Sequence, residues 1–197
     1  MDFDRSTALV VVDVQNDFAD PNGSLYVREG EMVVDLINSE IDRAEQAGAA
    51  VLYTQDWHPQ KTPHFETDGG IWPVHCVQHS WGAELHPRLE VVGDIVKKGT
   101  GGEDGYSGFT MRDPETGEHS DTSLEDLLRA RDAQRIVVVG LATDYCVKET
   151  ALDGVAKGFE TVVLRSAVRA VNLDPNDGVR ALEAIEKAGG RVDVGGR

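Results

Sequence analysis

Four short runs of β-branched and aliphatic residues constrain this 197-residue chain more than any other feature: TALVVVDV (7 to 14), AAVLYTQD (49 to 56), RIVVVGLA (135 to 142) and ETVVLRSAV (160 to 168). Each has strand length and is apolar without alternation, the pattern of a strand covered on both faces. DIVKK (94 to 98) is a shorter fifth strand, and RVDV (191 to 194) a sixth at an edge. Between the runs the apolar period lengthens. Val33, Ile37, Ile41 and Ala44 recur at helical spacing from 31 to 47, and Gly48 closes that element. SLEDLLRARD, with Thr122 or Ser123 as its cap, residues 144 to 157, and a last segment carrying Val179, Leu182 and Ile185 read as further helices. This alternation predicts a three-layer α/β/α sandwich around a mainly parallel, about six-stranded sheet, Rossmann-like in plan.

No repeat, low-complexity segment or Ser/Gly/Pro linker divides the chain, so one domain over residues 1 to 197 is expected. Residues 57 to 93 are too long for an ordinary connection and rich in His, Pro and Trp, which marks a functional loop insertion. In parallel sheets ligands bind beyond the carboxyl ends of the strands. Asp13 ends the first run, Asp56 the second and Lys98 the third, and the GLATDYC turn follows the fourth. All four are expected at one edge of the sheet.

Charge narrows the partners. Thirty-five acids against 19 Lys plus Arg give a net charge of -16. A field of that sign repels polyphosphates and anionic bilayers, so nucleic acid and membrane are not expected as partners. No apolar run approaches the roughly 18 residues of a membrane span. MDFDRSTALVVV carries two acids and a strand-like run in place of a basic leader. The expectation is a cytoplasmic protein whose partner is a small molecule, with homo-oligomerisation compatible. Six lysines against thirteen arginines, with so many acids, point to a halophilic surface suited to a high-salt cytoplasm.

Two cysteines seventy residues apart make no disulfide framework. Cys146 falls where strand turns to helix, beside unpaired NH groups and the positive end of a helix dipole, both of which favour a thiolate. Lys98 and Asp13, from neighbouring strand ends, can reach the same sulfur: the cation would lower the thiol pKa, and the carboxylate could take its proton and return it to a leaving amine. NH groups near Ala142 and Cys146 could hold an oxyanion. Taken singly, each residue has a plainer reading: a core thiol, a helix cap, a solvated strand end. Their convergence is what argues for a thiolate amidase.

Asp56 and His58 lie two apart, His64 follows two prolines, and His75 follows a Trp-Pro corner. One carboxylate and three imidazoles suit Zn, Fe(II) or Mn; a loop of polar surface histidines is the alternative. His79, His86 and His119 read as surface or packing residues. Cys76, next to His75, should face the packing if His75 faces a metal, because neighbours in an extended segment point to opposite sides.

DVQNDF (13 to 18), D-x-H with a second His at 64, WPVHC, KG with a following YSGF, and GLATDYCV together resemble the nicotinamidases of the isochorismatase-like cysteine hydrolase superfamily, collinearly from about 7 to 168. The resemblance implies hydrolysis of nicotinamide to nicotinate and ammonia through a thioester, in NAD salvage, with an isochorismatase-like fold. It implies Asp13 as acid/base, Lys98 as electrostatic partner and Cys146 as nucleophile. A cis peptide between Leu141 and Ala142 would place the Ala142 and Cys146 NH groups as oxyanion hole. It also implies a divalent metal ion (Zn, Fe or Mn) on Asp56, His58, His64 and His75 and ring walls from Phe18, Trp72 and Tyr106; Asn16 could in addition bind a metal-bound water. The rivals are an isochorismatase-type hydrolase, a carbamoyl or ureido amidase, a zinc hydrolase with a structural Cys146, and a non-catalytic binding domain.

Overall fold

The computed structural model describes residues 2–193. Val194, the last residue of the RVDV run, lies outside them. In chain order the regular elements are β1 (Thr7–Val12), a short α1 (Asn16–Ala19), α2 (Val33–Ala47), β2 (Ala50–Asp56), β3 (Asp94–Lys98), β4 (Thr110–Arg112), β5 (His119–Asp121), α3 (Leu124–Arg129), β6 (Arg135–Leu141), α4 (Lys148–Ala156), β7 (Glu160–Arg169), α5 (Asp177–Lys187) and β8 (Arg191–Asp193). Six strands form one sheet in the order β3-β2-β1-β6-β7-β8, and every pair in it is parallel. A separate antiparallel hairpin of β4 and β5 was not foreseen: its residues are half-buried or exposed and carry no apolar period.

Period-two geometry sorts the sheet's side chains into two cores. Leu9, Val11, Val137, Val139 and Leu141 pack with Ile37 and Ile41 of α2 on one face. Ala8, Val10, Val12, Ile136 and Val138 meet Leu124 and Leu128 of α3, Ala151 of α4 and Ile185 of α5 on the other. The central strands are therefore buried on both faces, as their unbroken apolar runs require. Both sheet edges are short strands, β3 and β8, with charged residues among them.

Helix α2 begins two residues later than the apolar period predicts, because residues Gly30–Met32 form a 3-10 turn ahead of it; Gly48, at φ 70°, closes it. After β6 the chain passes through a cis peptide between Leu141 and Ala142, at the bond the family resemblance implies. It then winds through a wide π turn, Thr143–Val147, that runs straight into α4. Gly140, just before, sits at φ 112°, and a Cβ there would strike the backbone of Val12 on the neighbouring strand. A glycine at this position lets β6 approach β1 and still turn out of the sheet. Residues 57–93, between β2 and β3, hold one short helical segment, the 3-10 turn Glu66–Asp68, with isolated bridges His58↔Val77 and Phe65↔Trp72.

Candidate active site

Four adjacent strands, β3, β2, β1 and β6, deliver one residue each to the same edge. Lys98 is the last residue of β3 and Asp56 the last of β2, Asp13 follows β1, and Cys146 lies in the π turn after β6. Lys98 is fully buried. Its ammonium is 2.7 Å from Asp13 Oδ2 and 3.8 Å from Cys146 Sγ, and it also donates to Asp56 Oδ1 and to the carbonyl oxygen of Gly105. Gly105 sits in a tight place: a Cβ would lie 3.0 Å from Asp56 Oδ1 and 3.3 Å from Lys98 Cγ. Thr54 Oγ1 donates to Asp13 Oδ1 at 2.6 Å, while Oδ2 lies at ion-pair distance from Lys98 without hydrogen-bond geometry. Carboxylate oxygens of Asp13 and Asp56 and the Cys146 sulfur lie within 4.8 Å of one another, with the Lys98 ammonium ion-paired to both acids and beside the sulfur.

The electrostatics correct one sequence expectation. Burial pushes the Cys146 thiol well up; Lys98 pulls it down, and Asp13 and Asp56 push it up again. The resting group is therefore a thiol, not a preformed thiolate: one cation shared between two nearer carboxylates has little field left for the sulfur. Asp13 is the complement. Burial, opposed by Lys98 and reinforced by Asp56, raises its carboxyl to about 6. A carboxylate of that basicity beside a buried thiol is suited to take its proton as bond formation begins. Burial works against the charge on Lys98 and on Asp56 alike. In both it is overcome: Asp13 and Asp56 hold Lys98 protonated, and Lys98 with His58 holds Asp56 ionised.

Behind Asp56 lies the second cluster. One nitrogen from each of His58, His64 and His75 falls within 4.8 Å of the others, and all three rings are buried. The rings of His58 and His64 stack at 4.7 Å. His75 Nδ1 donates to the Pro73 carbonyl at 2.7 Å, and burial pushes its pKa down to about 4, so the ring is neutral. Neither nitrogen of His58 has a hydrogen-bond partner. Buried polar atoms left without partners are costly, and a cation shared by the three converging nitrogens would satisfy His58. The donor set therefore fits a divalent metal ion. Asp56 is placed between the clusters: Oδ1 serves Lys98, while Oδ2 lies 3.8 Å from His58 Nε2. The Asn16 side-chain NH2 donates to the Trp81 carbonyl at 2.8 Å, and its Oδ1 is buried without a hydrogen-bond partner. His86 is buried, His79 packs edge-on against Trp57, and His119 is exposed on β5, none of them with the cluster.

Both clusters open on one pocket with apolar walls. Phe18, Trp72, Tyr106 and Ala142 are among its lining, and Cys146, Asp56, His64 and His75 bring polar groups to it. Tyr145 also lines it and was missed, although its place beside Cys146 in GLATDYC was a signal; Leu25, Val27 and Val171 were missed with none. Trp72 Nε1 donates to the Tyr106 hydroxyl at 2.8 Å, and Tyr145 meets Trp72 edge-on at 4.8 Å, so the aromatic wall is internally braced. Two carboxylates outside the predicted set also hold the site. Asp17 Oδ2 accepts from the Cys76 NH at 2.7 Å, and Asp104 Oδ1 pairs with His64 Nδ1 at 2.7 Å. Cys76 does face the packed core, but its φ of 46° is left-handed, so a turn braced by Asp17, not an extended alternation, aims it there.

The family profile "Isochorismatase domain" matches residues 7–192. The nicotinamidase of Escherichia coli (strain K12) is 38% identical, covering 92% of this chain and 92% of that protein. The structure of the pyrazinamidase of Pyrococcus horikoshii in complex with zinc superposes with a TM-score of 0.84 at 39% identity over 95% of this chain and 98% of that one. PnC1 from L. infantum in complex with nicotinate gives a TM-score of 0.86 at 35% identity over 98% and 95%. With the sheet, the strand-end residues and the sequence match in accord over nearly its whole length, the chain belongs to the isochorismatase family.

Proposed function

We propose that this protein is a nicotinamidase: an amidohydrolase that converts nicotinamide to nicotinate and ammonia through a thioester on Cys146, in NAD salvage. The observation that carries the reading is the Lys98-centred contact of Asp13 and Cys146, opening on the same aromatic pocket as three converging imidazoles, of which His58 has no hydrogen-bond partner at either nitrogen. The similarity to nicotinamidases and to structures described with zinc and with nicotinate supports it.

In this reading Cys146 Sγ attacks the carboxamide carbon while its proton passes to Asp13. The carbonyl oxygen becomes an oxyanion, held by the NH groups of Ala142 and Cys146. The Ala142 carbonyl takes the NH of Tyr145 at 3.1 Å and of Val147 at 3.0 Å, which winds the turn around the site. Collapse of the tetrahedral adduct breaks the C–N bond, and Asp13 delivers its proton to the departing amine. A water then loses a proton to Asp13 as it attacks the thioester; the C–S bond breaks, and the proton returns to sulfur. Lys98 keeps the Asp13 carboxylate oriented and charged between these transfers.

His58, His64 and His75, with Asp56, would hold the divalent ion, Zn, Fe or Mn, whose chemistry here is Lewis acidity toward the pyridine nitrogen, orienting the ring and drawing electron density from the carboxamide. Phe18, Trp72, Tyr106 and Tyr145, which line the pocket, supply aromatic surface suited to that ring. A vinyl-ether hydrolase has no use for the imidazole cluster, which disfavours the isochorismatase-type alternative. A cytoplasmic location fits a fold in which no described helix is long and apolar enough to cross a membrane.

Ammonia release from nicotinamide is the test, measured with wild type, with Cys146→Ala and with chelator-stripped protein. Turnover only by the first supports the reading. Undiminished turnover by Cys146→Ala rejects it in favour of a metal-bound hydroxide as nucleophile.

A further inference from the structure

Asp104 takes no part in the chemistry above, yet it sits against the imidazole cluster with only 14% of its side chain exposed. Its Oδ1 is 2.7 Å from His64 Nδ1. The contact does not depend on a mobile side chain reaching inward, because the backbone fixes Asp104 independently. Its NH donates to the Arg112 carbonyl at 2.7 Å and its carbonyl accepts from the Arg112 NH at 3.0 Å, clipping the segment to β4. The next residue, Gly105, offers its carbonyl to Lys98, and the one after, Tyr106, braces Trp72. Three consecutive residues thus touch the imidazole cluster, the thiol centre and the aromatic wall in turn. This is the structural use of the unforeseen hairpin.

An ionised carboxylate only accepts hydrogen bonds, so His64 must carry its proton on Nδ1 to satisfy it. A neutral ring then has its lone pair on Nε2, the nitrogen left to ligate. The bond from His75 Nδ1 to the Pro73 carbonyl does the same for that ring. The two differ in kind: a carbonyl dipole orients, whereas a carboxylate also makes the opposite nitrogen more basic.

We propose that Asp104 is a positioning residue for a divalent metal on His58, His64 and His75: it holds His64 in the Nδ1-protonated tautomer and raises the affinity of Nε2 for the ion. This rests on the reading of the three imidazoles as ligands, and zinc is the probe that separates the two. Dissociation constants for zinc are measured by competition with a chromophoric chelator for wild type, Asp104→Ala and Asp104→Asn. The His64 tautomer is read from nitrogen-15 imidazole spectra of the metal-free proteins, and their melting temperatures are recorded alongside. Asp104→Ala is expected to bind zinc about 10- to 100-fold more weakly and to show mixed His64 tautomers, with the metal-free melting temperature little changed. Asp104→Asn, whose amide oxygen still accepts, is expected to recover much of the affinity. Wild-type zinc affinity in Asp104→Ala, or an Asn variant as weak as Ala, overturns the proposal. So does a wild-type His64 protonated on Nε2, a result that needs no variant to fold. Wild type that takes up no zinc at all rejects the metal reading itself, while the tautomer measurement still stands on its own.

Discussion

Replacing Lys98 by methionine removes one charge and little volume from the centre of the site, and the structure sets both the size and the pH dependence of the result. The ammonium is fully buried, 2.7 Å from Asp13 Oδ2, and bonded also to Asp56 and Gly105. Without it, two carboxylates remain in one buried cluster with no cation between them. Removing one partner of a buried ion pair costs about 3–5 kcal/mol, chiefly because the other charge is left uncompensated. For a chain of this size each kcal/mol is worth about 2–4 °C, so the melting temperature should fall by about 6–20 °C. Relief is available through protonation. Burial already raises Asp13 to about 6 with Lys98 opposing it, and loss of the cation raises it further. A carboxyl whose folded pKa lies above its unfolded value binds a proton on folding, so stability falls as pH rises from the unfolded value through the folded one. Lys98→Met should therefore be less destabilised at about pH 5 than at about pH 8. Calorimetry of metal-free wild type and variant across that range is the assay. A loss below about 2 °C, or one that grows as pH falls, would refute the reasoning.

Because Asp13 must be ionised to accept the thiol proton, kcat/KM should fall as pH drops through about 6, and a profile flat well below that value would remove Asp13 as the base. Cys76→Ala should leave kcat unchanged while costing about 1 kcal/mol of stability, since the sulfur is fully buried in the core and off the pocket; loss of turnover in a folded variant would contradict this. If the net charge of -16 is an adaptation to a high-salt cytoplasm, the melting temperature should climb from dilute buffer to multimolar KCl, and full stability in dilute buffer would end that idea.

The fold was legible because both of its determinants are periodic. Unbroken runs such as RIVVVGLA can be satisfied only by a strand covered on both faces, and the helical spacing in between forces crossovers and parallel pairing. The site was legible to the extent that it follows from strand ends: Asp13, Asp56, Lys98 and Cys146 meet because β1, β2, β3 and β6 are neighbours. What escaped depends on where loops fold back. Asp104 reaches His64 across forty residues through a hairpin with no apolar pattern, and Asp17 reaches Cys76 across fifty-nine. Leu25, Val27 and Val171 look like any other aliphatic residues until the pocket is closed around them. The state of the thiol was misjudged for a related reason. Sequence shows that Lys98 can reach Cys146, but not that Asp13 and Asp56 compete for the same ammonium at shorter range.

The most direct test of the account is mass spectrometry of the intact protein, acid-quenched during turnover of nicotinamide and then digested. A nicotinoyl group on the peptide carrying Cys146, absent from Cys146→Ala and from unreacted protein, is the predicted result. Ammonia release by a Cys146→Ala protein that never carries an acyl group would contradict it.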